Sequence, residues 1–215
     1  MPTRARPNLI DHARAERADL LAFCSTLTPE QWMTSSLCDD WTVRDVVAHL
    51  ISYDVLTAPR LVRRFLQGGL RLNRINAIAV RLGAEITTDD VLDQLRTHLT
   101  PTGLTAGFKG GIALTDGIIH HQDIRRPLGL HRTVPADRLA PALDFALAAP
   151  TLPSRRLARG LELIATDLDW RRGTGLEVHG TGEALLMAIA GRPGVTRELT
   201  GPGQAEWHRR AEQAA

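Results

Sequence analysis

Apolar residues recur at helical spacing over about residues 9–26. Leu9, Ile10, Ala13, Leu20, Leu21 and Cys24 form one stripe, widened by Phe23 and interrupted by Arg17. Thr28-Pro29-Glu30-Gln31 is a helix-start signature, with Thr28 as cap and Pro29 in the first position, and predicts a short turn ending near Met33. Thr42 with Asp45 three residues on resembles a capping box. The helix it opens carries Val43, Val46, Val47, Leu50, Ile51 and Leu56, and His49 lies beside Val46 and Leu50 toward the apolar side. Residues 55–84 hold six arginines and no acid, and Gly68-Gly69 predicts a break into two helical pieces. Another helix begins at Thr87-Thr88-Asp89-Asp90 and runs to about Leu99. After a Gly-, Thr- and Pro-rich loop, a helix spans about residues 112–126, stopped by Pro127 and Gly129.

Beyond Pro135 the periodicity predicts a helix over residues 137–148, with punctuation from Pro150 to Pro153. The pattern then changes. Residues 161–168 and 175–178 are short apolar runs separated by Trp170-Arg171-Arg172-Gly173, read as the turn of a hairpin. Residues 183–190 read as a helix ended by Gly191, and Gly201-Pro202-Gly203 introduces a last short helix through Trp207. The expected architecture is mainly α: a helical bundle over residues 1–150, followed by a small α+β domain over 151–215.

Charge and cysteine content narrow the function classes. A net charge of +2 is too small to argue for a nucleic-acid binder. The arginine-rich stretch contains only Phe65 as an aromatic and no base-reading motif, so its arginines read as a solvated helix face. Lys109 is the single lysine, a bias that suits a GC-rich genome. Cys24 and Cys38 show neither CxxC spacing nor a secreted disulfide pattern. A cysteine could serve as a fourth ligand or nucleophile, although neither lies on a recognised motif: Cys24, on an apolar helix face, reads as a packed small hydrophobe, and the polar surroundings of Cys38 allow an exposed, reactive thiol. The N-terminal stretch lacks the apolar core of a signal peptide, and no apolar run approaches the roughly 18–20 residues of a membrane span. A reducing cytoplasm is the simplest compartment.

The candidate chemistry lies in TDGIIHHQDIRRPLG, residues 115–129. On a helix Asp116 and His120 are one turn apart on one face, Asp123 continues that face, and His121 is rotated about 100° away. Taken singly, His49 reads as a core histidine, Asp116 as a helix-start carboxylate and His120 as a surface histidine. Together the three form a two-histidine, one-carboxylate set, which suits zinc with an open fourth position and also Fe(II), Ni(II) or Mn(II). Asp123 either orients a ligand histidine or belongs to a solvated face.

The segments WTVRDVVAHL (residues 41–50) and DGIIHHQDIRRPLG (residues 116–129) resemble the DinB-like metalloprotein superfamily, and within it the mycothiol-dependent maleylpyruvate isomerase group. Residues 166–203 are similar to that group's smaller C-terminal domain. The resemblance implies a DinB-like four-helix bundle followed by a small α+β domain. It also implies a metal site in which His49 matches the histidine of the second helix and His120 the last residue of an E-x3-H pair. Asp116 stands where the family has glutamate. Aspartate is one methylene shorter, so it must approach the metal more closely or bind through water.

On this resemblance the expected cofactors are zinc or another divalent metal, and mycothiol. The partners are a small-molecule thiol and a small electrophilic substrate, with no nucleic acid and no membrane. The implied reaction is cis–trans isomerisation through a thiolate adding to an activated double bond, or thiol transfer to an electrophile. The family's isomerases also use an arginine of the C-terminal domain, for which Arg192 and Arg197 are candidates. The alternative is a non-catalytic metal- or ligand-binding bundle with a stress or regulatory role. A homodimer is compatible with such a bundle, although no stretch marks an interface.

Overall fold

A computed structural model describes residues 8–38, 40–54, 63, 66–67, 69, 86–192 and 194–213. The two helical pieces expected in residues 55–84, five of their six arginines, and Leu56 lie outside the described residues. The chain divides into two compact units, Met1–His131 and Arg132–Ala215.

In the first unit α1 is Ile10–Cys24, α2 Pro29–Trp32, α3 Val43–Ser52, α4 Thr88–Thr97 and α5 Gly111–Arg125, with a 3-10 turn at Gly107–Gly110 leading into α5. Three of the starts are built as the sequence predicts. The side chains of Thr28, Thr42 and Thr87 accept from the backbone N–H of Gln31, Asp45 and Asp90, and each of those side chains accepts from the cap's own N–H. Each box satisfies two backbone donors that the helix leaves without partners. Helices α1 and α3 each pack against both α4 and α5. Leu20, Phe23, Cys24, Val43, Val46, Val47, Leu50, Ile51, Val91, Leu95 and Ile124 form the shared core.

The start of α5 requires glycine. Gly110 has φ of 89°, and a Cβ there would lie 2.7 Å from the Ile10 nitrogen. This close approach lets the Leu9 N–H donate to the Lys109 carbonyl at 2.8 Å, which ties the beginning of α1 to that of α5.

Arg17, the residue that interrupts the α1 stripe, is buried. Its guanidinium donates to Asp54 at 2.8 Å and to the His98 carbonyl at 2.6 Å. Asp54 in turn accepts from the Thr102 N–H at 2.7 Å and the Thr105 hydroxyl at 2.8 Å. One desolvated carboxylate thus joins α1, the end of α3 and the segment after α4.

In the second unit α6 is Ala136–Ala148, α7 Ser154–Leu157, β1 Leu161–Ala165, β2 Arg171–Gly173, β3 Leu176–Gly180, α8 Gly182–Ile189 and α9 Gln204–Glu212, with a 3-10 turn at Val195–Glu198. The sequence expectation put the break at residue 150. The compact units divide at 131/132 because α6 buries Leu139, Ala142, Leu143 and Ala146 and packs on α8.

The expected hairpin is corrected. Arg171–Gly173 is a strand and not a turn, and the sheet order is β2-β1-β3, with β1 antiparallel to β2 and parallel to β3. After β2 the chain crosses under the start of β1. Gly173 (φ 92°) and Gly175 (φ 127°) sit so close to the Leu161 and Gly160 carbonyl oxygens that a Cβ would lie 2.2 and 2.1 Å from them. The arginines give β2 no apolar face, which is why an exposed edge strand reads as a polar turn.

No helix among the described residues is long and apolar enough to cross a membrane. Asp54→Ala leaves Arg17 buried without its counter-charge and is expected to lower stability by about 3–5 kcal/mol. A urea titration measures this, and the Arg17→Met, Asp54→Leu double variant recovers most of the loss.

Candidate metal centre

Helix α5 is buried almost all round, and His120, His121, Gln122 and Asp123 lie in succession within it. A polar group in such a place costs free energy without a partner. Each of the two histidines meets carboxylate, on different faces of the helix.

His120 Nδ1 lies 2.9 Å from Asp123 Oδ2, and Nε2 lies 3.4 Å from Asp116 Oδ1. The three residues share one face as helical spacing requires. Asp123 is fully buried, whereas the Asp116 side chain is 43% exposed. The structure therefore decides between the two readings of Asp123: it is an interior carboxylate hydrogen-bonded to the ring and not part of a solvated face.

His49 comes from α3 and is buried. Its ring packs edge-on to that of His120, with centroids 5.0 Å apart, and sits between Trp41 at 5.0 Å and Tyr53 at 5.9 Å. One nitrogen each from His49 and His120 and a carboxylate oxygen of Asp116 lie within 4.8 Å of one another. The three sequence candidates, separated by up to 71 positions, thus come together in space (120 − 49 = 71).

Burial pulls the His120 pKa down, but the opposing effects are larger. The Asp116 charge and hydrogen bonds to Asp116, Asp123 and Cys38 hold the imidazole well above the ordinary value of 6.5. A divalent cation would meet the same carboxylate field.

His121 faces α1. Its Nδ1 is 3.0 Å from Glu16 Oε1, and Arg125 Nε–H donates to its Nε2 at 2.9 Å. Because arginine can only donate, Nε2 must be the acceptor, and Nδ1–H donates to Glu16. The Arg125 guanidinium also lies over the Phe23 ring, 3.7 Å from its centroid. These contacts lock the rotation of α5 against α1 and thereby fix which face presents Asp116 and His120.

Sequence reasoning did not place Cys38 at this centre. Its Sγ lies 3.2 Å from Asp123 Oδ2 and 3.6 Å from His120 Nδ1. Nothing in the local pattern identifies it, because the contact depends on the fold of the segment between α2 and α3. There the Leu37 N–H donates to the Asp123 carbonyl at 3.0 Å, and the Cys38 N–H to the Ser36 hydroxyl at 3.0 Å. Cys24 is buried as expected. Arg192, just beyond α8, and Arg197, in the 3-10 turn, belong to the second unit.

Residues 13–102 match the family model of the mycothiol maleylpyruvate isomerase N-terminal domain. Two solved structures share the fold. One is a histidine-to-alanine mutant of the mycothiol-dependent maleylpyruvate isomerase, with TM-score 0.56, 13% identity and coverage of 91% of this chain and 92% of that one. The other is the mycothiol-dependent maleylpyruvate isomerase itself, with TM-score 0.52, 14% identity and the same coverage. Comparison with curated proteins gives no match. The resemblance read from residues 41–50 falls within the matched span, residues 116–129 lie outside it, and the mainly α fold is borne out.

Two outcomes follow for the metal-free protein. The His120 ring stays protonated above pH 6.5, so its contribution to stability is complete below the unfolded value and is lost as pH rises through the raised folded value. An NMR titration of the His120 ring measures this, and a midpoint at or below 6.5 contradicts it. Burial pushes the Cys24 thiol up to about 12, against a smaller opposing effect of Arg125, so iodoacetamide at neutral pH leaves Cys24 unmodified in the native protein. Peptide mass mapping reads the result directly.

Proposed function

We propose that this chain, similar in fold and in its N-terminal part to the mycothiol-dependent maleylpyruvate isomerase, is a divalent-metal-dependent enzyme that uses a low-molecular-weight thiol. The observation that carries the reading is the convergence of His49, Asp116 and His120, with Asp116 alone partly open to solvent.

The donor set fits a catalytic cation. Two imidazoles and one carboxylate leave a coordination position free, as zinc enzymes require. The 3.4 Å between His120 Nε2 and Asp116 Oδ1 is close to the edge of about 3.3 Å of a tetrahedron with metal–ligand bonds of about 2.0 Å. Zinc is the first choice among divalent ions, and His49, Asp116 and His120 would hold it. A cation so held supplies a Lewis acid that lowers the pKa of an entering thiol.

The protein's own groups do the positioning. Asp123 takes the Nδ1–H of His120, which leaves Nε2 as the ligand nitrogen and fixes the plane of the ring. Trp41 and Tyr53 hold the His49 ring and give that side of the centre an apolar wall. The exposed side of Asp116 is where a thiol and an electrophile would enter. The reaction proposed is thiol-assisted cis–trans isomerisation of a maleylpyruvate-like substrate, with mycothiol as the thiol, or transfer of the thiol to a small electrophile.

A second reading follows from the shorter carboxylate of Asp116: a metal-binding bundle without thiol chemistry. One experiment separates the two. Wild-type protein is expected to hold about one equivalent of divalent metal, His120→Ala to lose it, and the metal-loaded wild type to isomerise a cis-enedioic substrate only when a thiol is added. Metal retention in His120→Ala overturns the site. Metal without thiol-dependent turnover favours the second reading.

A further inference from the structure

His120 presents its two ring nitrogens to two different donor sets. Nε2 faces Asp116 and the His49 ring, as described. On the Nδ1 side, Cys38 Sγ, His120 Nδ1 and Asp123 Oδ2 also lie within 4.8 Å of one another. The three separations are 3.2 Å for Sγ–Oδ2, 3.6 Å for Sγ–Nδ1 and 2.9 Å for Nδ1–Oδ2. For a tetrahedral cation with bonds of about 2.3 Å to sulfur and about 2.0 Å to nitrogen or oxygen, the corresponding edges are roughly 3.5, 3.5 and 3.3 Å. The existing arrangement is within a few tenths of an ångström of that cage.

We propose that Cys38, His120 Nδ1 and Asp123 form a second, alternative seat for a thiophilic divalent cation of the zinc class.

Three observations beyond the spacing support it. The donors differ in kind, a thiol, an imidazole and a carboxylate, and a thiolate in the set favours zinc, cobalt(II) or cadmium over magnesium or calcium. Asp123 is fully buried and His120 nearly so, which excludes an incidental surface cluster. The cysteine is also held by the backbone. The Leu37 N–H bonds to the Asp123 carbonyl, the Ser36 N–H to the Trp41 carbonyl at 2.9 Å, and the Val43 N–H to the Thr34 carbonyl at 2.9 Å. Cys38 is thus carried by a pinned segment, and a cation would not have to order it.

The sharing of one ring sets the relation between the seats. A neutral imidazole has one lone pair for a metal, and its other nitrogen keeps the proton. With the cation on Nε2, Nδ1–H donates to Asp123. With the cation on Nδ1, Nε2–H faces Asp116. One ring then serves one cation at a time, and a thiophilic ion on the Cys38 side removes His120 from the His49–Asp116 set. An ion so seated acts as an inhibitor of the reaction proposed above.

Cobalt(II) added to the metal-free protein without any exogenous thiol tests the seat. A thiolate-to-cobalt charge-transfer band is expected in Asp116→Ala, where the His49–Asp116–His120 set is broken, and is expected to be lost in the Cys38→Ser, Asp116→Ala double variant. Alkylation of Cys38 in Asp116→Ala is expected to slow about tenfold or more when cobalt is bound. Absence of the band from Asp116→Ala, its survival in the double variant, or alkylation of Cys38 in Asp116→Ala that cobalt leaves unchanged overturns the seat. Failure of the thiol-enzyme reading shows separately, as cobalt-loaded Cys38→Ser that gains no band when an external thiol is added.

Discussion

A run of polar side chains inside a buried helix is the constraint on which the first unit depends. Helix α5 carries His121 and Asp123 fully buried and His120 nearly so, and a buried ionisable group without a partner costs several kcal/mol. Two neighbouring elements bring a polar side chain to α5. Helix α1 brings Glu16 to His121, the segment between α2 and α3 brings Cys38 to Asp123, and Asp123 itself turns back to His120. The apolar core makes the helices cohere, but these pairings set their rotation and register.

The same pairings make the centre rigid before anything binds. The His120 ring is held through Nδ1, its neighbour His121 is locked between Glu16 and Arg125, and His49 is enclosed by aromatic rings. A donor set organised in advance needs little rearrangement to accept a cation, and its open side is defined by the one member that reaches solvent, Asp116. The carboxylates also favour the cationic form of the His120 imidazole in spite of its burial.

Buried charge serves a second purpose away from the centre. Arg17 and Asp54 sit where an apolar pair would pack, and Asp54 collects donors from two further segments. Whether such a pair adds net stability depends on the comparison, but removing one partner is always costly. Its visible effect is positional: it ties the residues leading toward α5 to α1 and to the end of α3.

Helix starts, the apolar stripes of α1 and α3 and the shared face of Asp116, His120 and Asp123 were legible in the sequence, because capping and helical periodicity are local and involve residues three or four apart. His49 could be joined to that face only through the family resemblance or as a chemical guess, since no spacing rule links α3 to α5. The β2-β1-β3 order was not legible, because Arg171–Gly173 has no apolar alternation and gains its place from backbone pairing along β1. Nor was the role of Arg17, whose charge looked like a break in a stripe until Asp54 came beside it. Cys38 is the clearest case. Its neighbours in sequence say nothing of His120 and Asp123, more than 80 residues away, and only the tertiary fold brings the thiol within reach of them. The sequence by itself determined which side chains share a helix face. The tertiary structure decided which faces meet, because that depends on the few arrangements in which every buried polar group is satisfied at once.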